Sequence, residues 1–303
     1  MSRGGNGVKA ASFRYQHART LAEAIDLLHR HGAGATVIAG GQSLVPALNL
    51  RMAAPDILID ISGIDELHGI RLIGDGASRR LRIGAMTRHA ALGRSAEIAA
   101  HAPLLHLAVE HVAHAAIRNR GTFGGSIAHA DPASEFPACA VALGARMHIA
   151  GRDGTRAVAA DDFFVGLHET AIRPGEILVA VEVDALDAGC RPGFAELARR
   201  QGDYALVGLA VHARPILGRT RFATISPVFF SVSTRPVLAR AAADVLTSET
   251  IPDAERLRLA QQALAADLDP PADPQASSAM RLHLARVLLG RVASQLLGAD
   301  DAT

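Results

Sequence analysis

The residues best equipped for chemistry lie between Val112 and Cys139, in VAHAAIRNRGTFGGSIAHADPASEFPAC. This stretch holds a glycine pair, Gly124-Gly125, with hydroxyl residues Thr122 and Ser126 on either side and three acid–base groups, His129, Asp131 and Glu135. A second pair, Gly40-Gly41, occurs in VIAGGQSLVPALNLR and is again followed by a hydroxyl, Ser43. Glycine loops let backbone N–H groups approach an anion with no side chain in the way. Two of them in one chain suggest a pyrophosphate held from two sides, and hence a nucleotide-type cofactor. Thr122 and Ser126 are candidate phosphate donors, and Glu135 can accept from ribose hydroxyls. Glu135 also suits the first turn of a helix that starts after Pro132 and Ser134. His129, Asp131 and Glu135 can be read as metal ligands, but their spacing matches no standard site.

Elimination narrows the chemistry. Lys9 is the only lysine in 303 residues, so a Schiff-base lysine and a P-loop lysine both lack a candidate. Cys139 and Cys190 cannot form CxxC, which excludes an all-cysteine iron–sulfur cluster or zinc site built from this chain alone. GxSxG is absent. GxGxxA occurs once, at Gly5 to Ala10, with no strand before it, and fails as a Rossmann fingerprint. His111 and His114 read as helix-surface residues. A net charge of +1 without a basic tract gives no support for nucleic acid binding. No apolar run reaches the roughly 20 residues of a membrane span. The N-terminus lacks the apolar region of a secretory signal, so a cytoplasmic protein is expected.

The elements that must position these loops follow from periodicity. Thr20 and Glu23 form a capping box ahead of Leu21, Ala24, Ile25, Leu27 and Leu28, which predicts a helix near 20–31. ATVIA reads as a short buried strand running into Gly40-Gly41, and DILIDIS as an apolar strand. GIRLIGDGASRRLRIGAMT predicts a hairpin turning at Asp75-Gly76, and RMHIAGRDGTRAVAA a second. Helical pattern occupies 88–117, with Pro103 as a break or start. RNRGTFGGSIAHADPASE is then expected to be a long functional loop, followed by a helix around PACAVALGA. Beyond a break at 184–193, GFAELARRQGDYALVGLAVHARPIL and FATISPVFFSVSTRPVLA predict antiparallel strands with an aromatic core. Residues 237–298 read as helices, with PPADP as a loop between two of them and the last helix as core.

Taken together, these motifs resemble the FAD-binding medium subunit of molybdenum hydroxylases, the carbon monoxide dehydrogenase and xanthine dehydrogenase superfamily. AGGQSLVPALNLRMAAPDILIDI is similar to the first flavin loop and RNRGTFGGSIAHADPASEFPA to the second. RRQGDYALVGLAV resembles the entry to the C-terminal domain, and ASSAMRLHLARVLLGR the closing helical segment. The resemblance implies an α+β fold with two domains. Residues 1–183 would be an FAD-binding domain of the vanillyl-alcohol oxidase (PCMH) type, with lobes at about 12–62 and 63–183. Residues 184–303 would be an antiparallel sheet with a helical bundle. It further implies that Ala39, Gly40, Gly41, Gln42 and Ser43, with Thr122, Phe123, Gly124, Gly125 and Ser126, wrap the FAD pyrophosphate, and that Leu44 also belongs to the cofactor site. Val112 would contact the cofactor from the preceding helix, Glu135 would approach the ribose, and Asp131 belongs to the same AHADP wording. Leu178 would lie against the isoalloxazine and Tyr204 would be its aromatic neighbour on the C-terminal side.

The implied function is that of an electron relay with no catalytic side chain of its own. The molybdenum cofactor and two [2Fe–2S] clusters would reside in large and small partner subunits of a heterotrimer, often dimerised. Electrons would pass through FAD to a quinone, NAD, cytochrome or oxygen. Relatives often carry a lysine in the segment matching Phe194-Ala195-Glu196; here none is present, and Arg199 or Arg200 is the candidate substitute. Two other readings stay open: a free-standing FAD oxidoreductase with its own small substrate, and a non-catalytic subunit that kept the fold.

Overall fold

The computed structural model describes residues 9–187 and 189–298. Residues 5–8 of the GxGxxA pattern therefore lie outside the described residues. The chain begins with a three-stranded parallel sheet in the order β1 (Arg14–His17), β3 (Ile57–Asp60), β2 (Ala35–Ile38). Helix α1 (Leu21–His31) packs Ala24, Ile25, Leu27 and Leu28 against it. The capping box forms: Thr20 Oγ1 accepts from Glu23 N at 3.1 Å, and Glu23 reaches back to Arg19 N at 2.9 Å. β2 is half-buried rather than buried, because Thr36 and Val37 border a cavity. LVPALN forms an element that its sequence did not announce, the short helix α2 (Leu44–Asn49), after which Arg51 turns the chain with φ of 58°.

The next lobe is a five-stranded antiparallel sheet, made of β4 (Ile70–Ile73), β5 (Arg80–Gly84), β6 (Arg146–Gly151), β7 (Gly154–Ala159) and β10 (Ile177–Asp184). Both predicted hairpins are present as β4–β5 and β6–β7, and β10 lies between them in the order β4-β5-β10-β6-β7. Its buried run includes Glu182, whose carboxylate meets Arg82 at 2.7 Å, His148 at 3.1 Å and Arg80 at 3.4 Å. A small hairpin, β8 (Phe164–Gly166) and β9 (Glu169–Thr170), stands apart.

Between β5 and β6 the helical pattern is cut into short pieces, α3 (His89–Arg94), α4 (Ala96–His101), α5 (Pro103–Val109) and α6 (Ala115–Arg118). Ser95 caps Ile98 N at 3.2 Å, Pro103 opens α5, and Ala113 turns with φ of 41°. Val112 therefore sits in the turn after α5, not on a helix as expected. His111 and His114 are likewise off-helix: His111 lies in that turn, and His114 precedes α6. The anticipated long loop is also corrected, since α7 (Phe123–His129) takes its middle, while α8 (Glu135–Ala142) is the helix expected around PACAVALGA. Thr122 makes the difference: its hydroxyl accepts from Gly125 N at 3.1 Å, giving two glycines a helical first turn.

After α9 (Ala160–Phe163) and the strands already described, the chain enters an antiparallel sheet, β11 (Arg191–Leu197), β12 (Val207–Pro215), β13 (Phe222–Phe230) and β14 (Val237–Leu238). Helices α10 (Arg240–Thr247), α11 (Asp253–Asp267) and α12 (Ser278–Leu297) join its core. Phe222, Phe229 and Phe230 are fully buried, so the aromatic core is present. Phe230 and Val228 face the other way, into the core of the second lobe. Arg281 of α12 ties these parts together. It donates to Ser231 O at 3.2 Å, to Leu206 O and to Asp273, while Ser231 N donates to Pro132 O at 2.8 Å. Removing Phe229 leaves a void the sheet and helices cannot close. Phe229→Ala should cost about 3–5 kcal/mol in urea unfolding; a loss below about 1 kcal/mol would show that this core is loosely packed.

Candidate functional site

The two glycine loops come from different lobes and touch. A Cβ on Gly40 would lie 2.4 Å from Arg120 O and 2.8 Å from Gly121 Cα, so only glycine permits this approach of backbone to backbone. Gly41 adopts φ of +71°, and Gln42 Nε2 donates to Gly40 O at 2.9 Å, closing the first loop on itself. On the other side, a Cβ on Gly124 would meet Ala85 at 2.4 Å.

The loops are not equivalent in their amides. Phe123 N donates to Thr87 O and Gly124 N to Ala85 O, each at 2.8 Å. Gly125 N donates to Thr122 Oγ1 and Ser126 N to Thr122 O at 3.0 Å. The amides of Gly40, Gly41, Gln42 and Ser43, by contrast, have no acceptor among the described residues. The first loop thus presents open amides, and the second is a smooth wall carrying the Ser126 hydroxyl, which lies 3.3 Å from Ser134 Oγ.

Both loops border a cavity of about 620 Å³ enclosed by the two lobes and the start of the C-terminal sheet. That volume lies within the range of cofactor clefts. Ala39 to Leu44, Val112, Thr122, Gly124 to Ser126, Asp131, Glu135, Leu178 and Tyr204 all line it. Phe123 does not: it is fully buried behind the wall, edge-on to Phe136 at 5.1 Å. Leu178 and Val112 supply apolar surface, and Tyr204 stands at the rim, two-thirds exposed. Sequence reasoning missed other residues of the lining, among them His89, Met86, Ile117 and Glu176. His89 opens α3 in an ordinary helical pattern, so no spacing signal marks it.

The electrostatics are set by burial. His89 is buried against Phe136 at 5.0 Å, with neither ring nitrogen partnered among the described residues. Burial pushes its pKa down to about 4, and the guanidinium groups of Arg118 and Arg88 act in the same direction. Glu135, the first residue of α8, is pushed up to about 8 by burial, with Glu196 and Asp131 adding to the rise and His111 opposing it. His111 Nδ1 lies 3.3 Å from Glu196 Oε1, and this contact raises the histidine. The segment expected to show a missing lysine therefore presents an acid, Glu196, paired with a histidine. Arg199 and Arg200 are exposed and do not line the cavity. Asp131 accepts from Ala133 N at 2.8 Å and faces Tyr204, whose phenol is raised by partial desolvation at the rim and by that carboxylate. The metal-capable grouping differs from the one considered in the sequence: His129, Asp131 and His168 bring ligand atoms within 4.8 Å of one another.

Comparison with known proteins agrees with this layout. A family model described as the FAD binding domain in molybdopterin dehydrogenase matches residues 11–184, and one for the CO dehydrogenase flavoprotein C-terminal domain matches residues 193–296. The 6-hydroxypseudooxynicotine dehydrogenase complex subunit alpha of Paenarthrobacter nicotinovorans is 42% identical over 203 residues, 67% of each chain. The carbon monoxide dehydrogenase medium chain of Afipia carboxidovorans is 35% identical over 280 residues, 92% of this chain and 95% of that one. Among solved structures, carbon monoxide dehydrogenase from Hydrogenophaga pseudoflava superposes with a TM-score of 0.89 at 34% identity, covering 96% of this chain and 98% of the other.

The buried imidazole gives a pH test. His89 binds a proton in the unfolded chain below its ordinary 6.5 but in the folded chain only near 4. Stability should therefore fall as pH drops through that window, by on the order of 3 kcal/mol. His89→Leu should flatten this part of the urea-stability profile; an unchanged slope would show that His89 is not held neutral. Separately, Thr122→Ala should cost about 1 kcal/mol through loss of the α7 cap, with Thr122→Ser restoring most of it in the same unfolding assay.

Proposed function

Since the chain belongs to the FAD-binding flavoprotein subunits of the molybdopterin dehydrogenases, we propose that its cavity holds FAD with the pyrophosphate on the Gly40–Ser43 nest. The observation that carries this is the run of four unpaired amides opening on a cofactor-sized cavity whose opposite wall is glycine. The residues fit the group in three further respects. Ser126 offers a hydroxyl beside the nest's facing wall, Leu178 and Val112 offer apolar surface for a ring, and Tyr204 overhangs the rim. Phe123 acts from behind, holding α7 against Phe136 rather than touching the cofactor.

When bound, the flavin supplies reversible electron transfer. The chain's own residues bind it, orient it and exclude water; none serves as nucleophile. The function is that of a medium, flavin-carrying subunit in a multi-subunit molybdenum hydroxylase. Its partners are then a small [2Fe–2S] subunit and a large subunit with the molybdenum cofactor, arranged as a dimer of heterotrimers in the cytoplasm. Electrons leave to a quinone, NAD, cytochrome or oxygen. The chain divides near residues 183–184 into the two-lobed PCMH-type domain, with lobes at about 12–62 and 63–183, and the C-terminal domain. No helix among the described residues is long and apolar enough to cross a membrane.

Reconstitution of the purified chain with FAD should give a visible flavin spectrum that dithionite bleaches. Gly41→Val should weaken FAD binding by more than about tenfold in a fluorescence titration, because φ of +71° is strained for valine. Absence of bound flavin in the parent protein would overturn the reading. Flavin reduction by a small organic substrate added to this chain alone would favour a free-standing oxidoreductase instead.

A further inference from the structure

The β8–β9 hairpin stands apart from the main sheets, and its turn carries His168 to the end of α7. There it meets two side chains of the cavity wall, His129 and Asp131. One ligand atom from each residue, two imidazole nitrogens and a carboxylate oxygen, lie within 4.8 Å of one another. The two rings face each other at 4.5 Å between centroids, with 30° between their planes. The hydrogen bonds around them leave lone pairs free. His168 Nδ1 lies 3.1 Å from His129 O. A carbonyl only accepts, so Nδ1 carries the proton and Nε2 the lone pair. Metal-binding histidines are held in this way, with the second nitrogen donating to a carbonyl or carboxylate. The ring nitrogens of His129 have no hydrogen-bond partner among the described residues. Asp131 accepts from Ala133 N through Oδ1 at 2.8 Å and keeps further lone pairs. His129 and Asp131 are half-buried and His168 is exposed, so an ion held by all three keeps an open position towards solvent.

We propose that His129, Asp131 and His168 form a site for a first-row divalent metal ion, best matched by Zn2+, that pins the β8–β9 hairpin to the end of α7 at the cavity rim. Two imidazoles, one carboxylate and an open position make a ligand set that suits Zn2+, whereas Mg2+ and Ca2+ call for oxygen ligands. Metal–ligand bonds of about 2.0–2.2 Å set the ligand atoms of a tetrahedral ion about 3.4 Å apart, so these side chains draw together by about an ångström on binding. His168 supplies that movement, because it is exposed at the turn of a short hairpin. The site goes beyond flavin binding and does not rest on it.

The test is Zn2+ uptake by the full chain, stripped of metal and flavin, measured in competition with a chromogenic chelator. The chain should take up a single tight Zn2+ that a large excess of Mg2+ does not displace. His168→Asn removes one ligand at an exposed position, and asparagine tolerates the φ of 54° found there. It should weaken Zn2+ binding by more than about tenfold, as should His129→Asn and Asp131→Asn. His283→Asn, an exposed change on α12, should bind Zn2+ like the parent. Amide exchange of the hairpin residues 165–170 should slow on adding Zn2+ to the parent and stay unchanged in His168→Asn. A parent that takes up no Zn2+, or a His168→Asn protein that binds it as tightly as the parent, would overturn the proposal. Neither result bears on FAD binding, which the reconstitution reads separately.

Discussion

Everything at the site depends on one backbone-to-backbone contact, Gly40 against Arg120 and Gly121. The small parallel sheet ends in one loop and the mixed lobe in the other, and the cavity is the space left where they meet. A Cβ at residue 40 would lie 2.4 Å from Arg120 O, too close for the two loops to meet as they do. The packing behind each loop keeps them in register. α1 and the buried β3 fix the first loop, while Phe123, Phe136 and the central strand β10 fix the second. The C-terminal sheet closes the third side through Arg281 and the Ser231–Pro132 hydrogen bond.

The two loops then divide the work. Hydrogen bonds within the protein consume the amides of the second loop, whereas those of the first face open space. An anion bound there gains donors that have no other partner, so the free-energy gain is large relative to displacing an existing bond. Two other groups around the cavity are handled differently: burial keeps the His89 imidazole neutral, whereas Glu176 is paired with Arg156 at 2.6 Å.

Much of this was legible in the sequence, because local signals happen to carry it. The capping box at Thr20, the turn at Asp75-Gly76 and the glycine pairs each state their geometry in a few residues. Fifteen of the sixteen residues named for the cofactor site line the cavity; Phe123 faces the core instead. What escaped was set by distant contacts. Helix α7 exists because Thr122 caps two glycines of poor helix propensity while Ala85 and Thr87 hold the preceding amides. His89 and Glu176 reach the cavity only through the sheet and helix packing that surrounds them. The His111–Glu196 pair joins residues from separate domains of the sequence, and no spacing rule connects them.

The central claim, that the Gly40–Ser43 nest is the anion grip and Gly124–Ser126 the pre-bonded wall, is tested most directly by amide hydrogen exchange with and without FAD. The amides of Gly40 to Ser43 should exchange freely in the unliganded protein and gain at least about tenfold protection on binding. Those of Gly124 to Ser126 should be protected from the start and change little. Protection appearing only at Gly124 to Ser126, with Gly40 to Ser43 unaffected, would contradict the account.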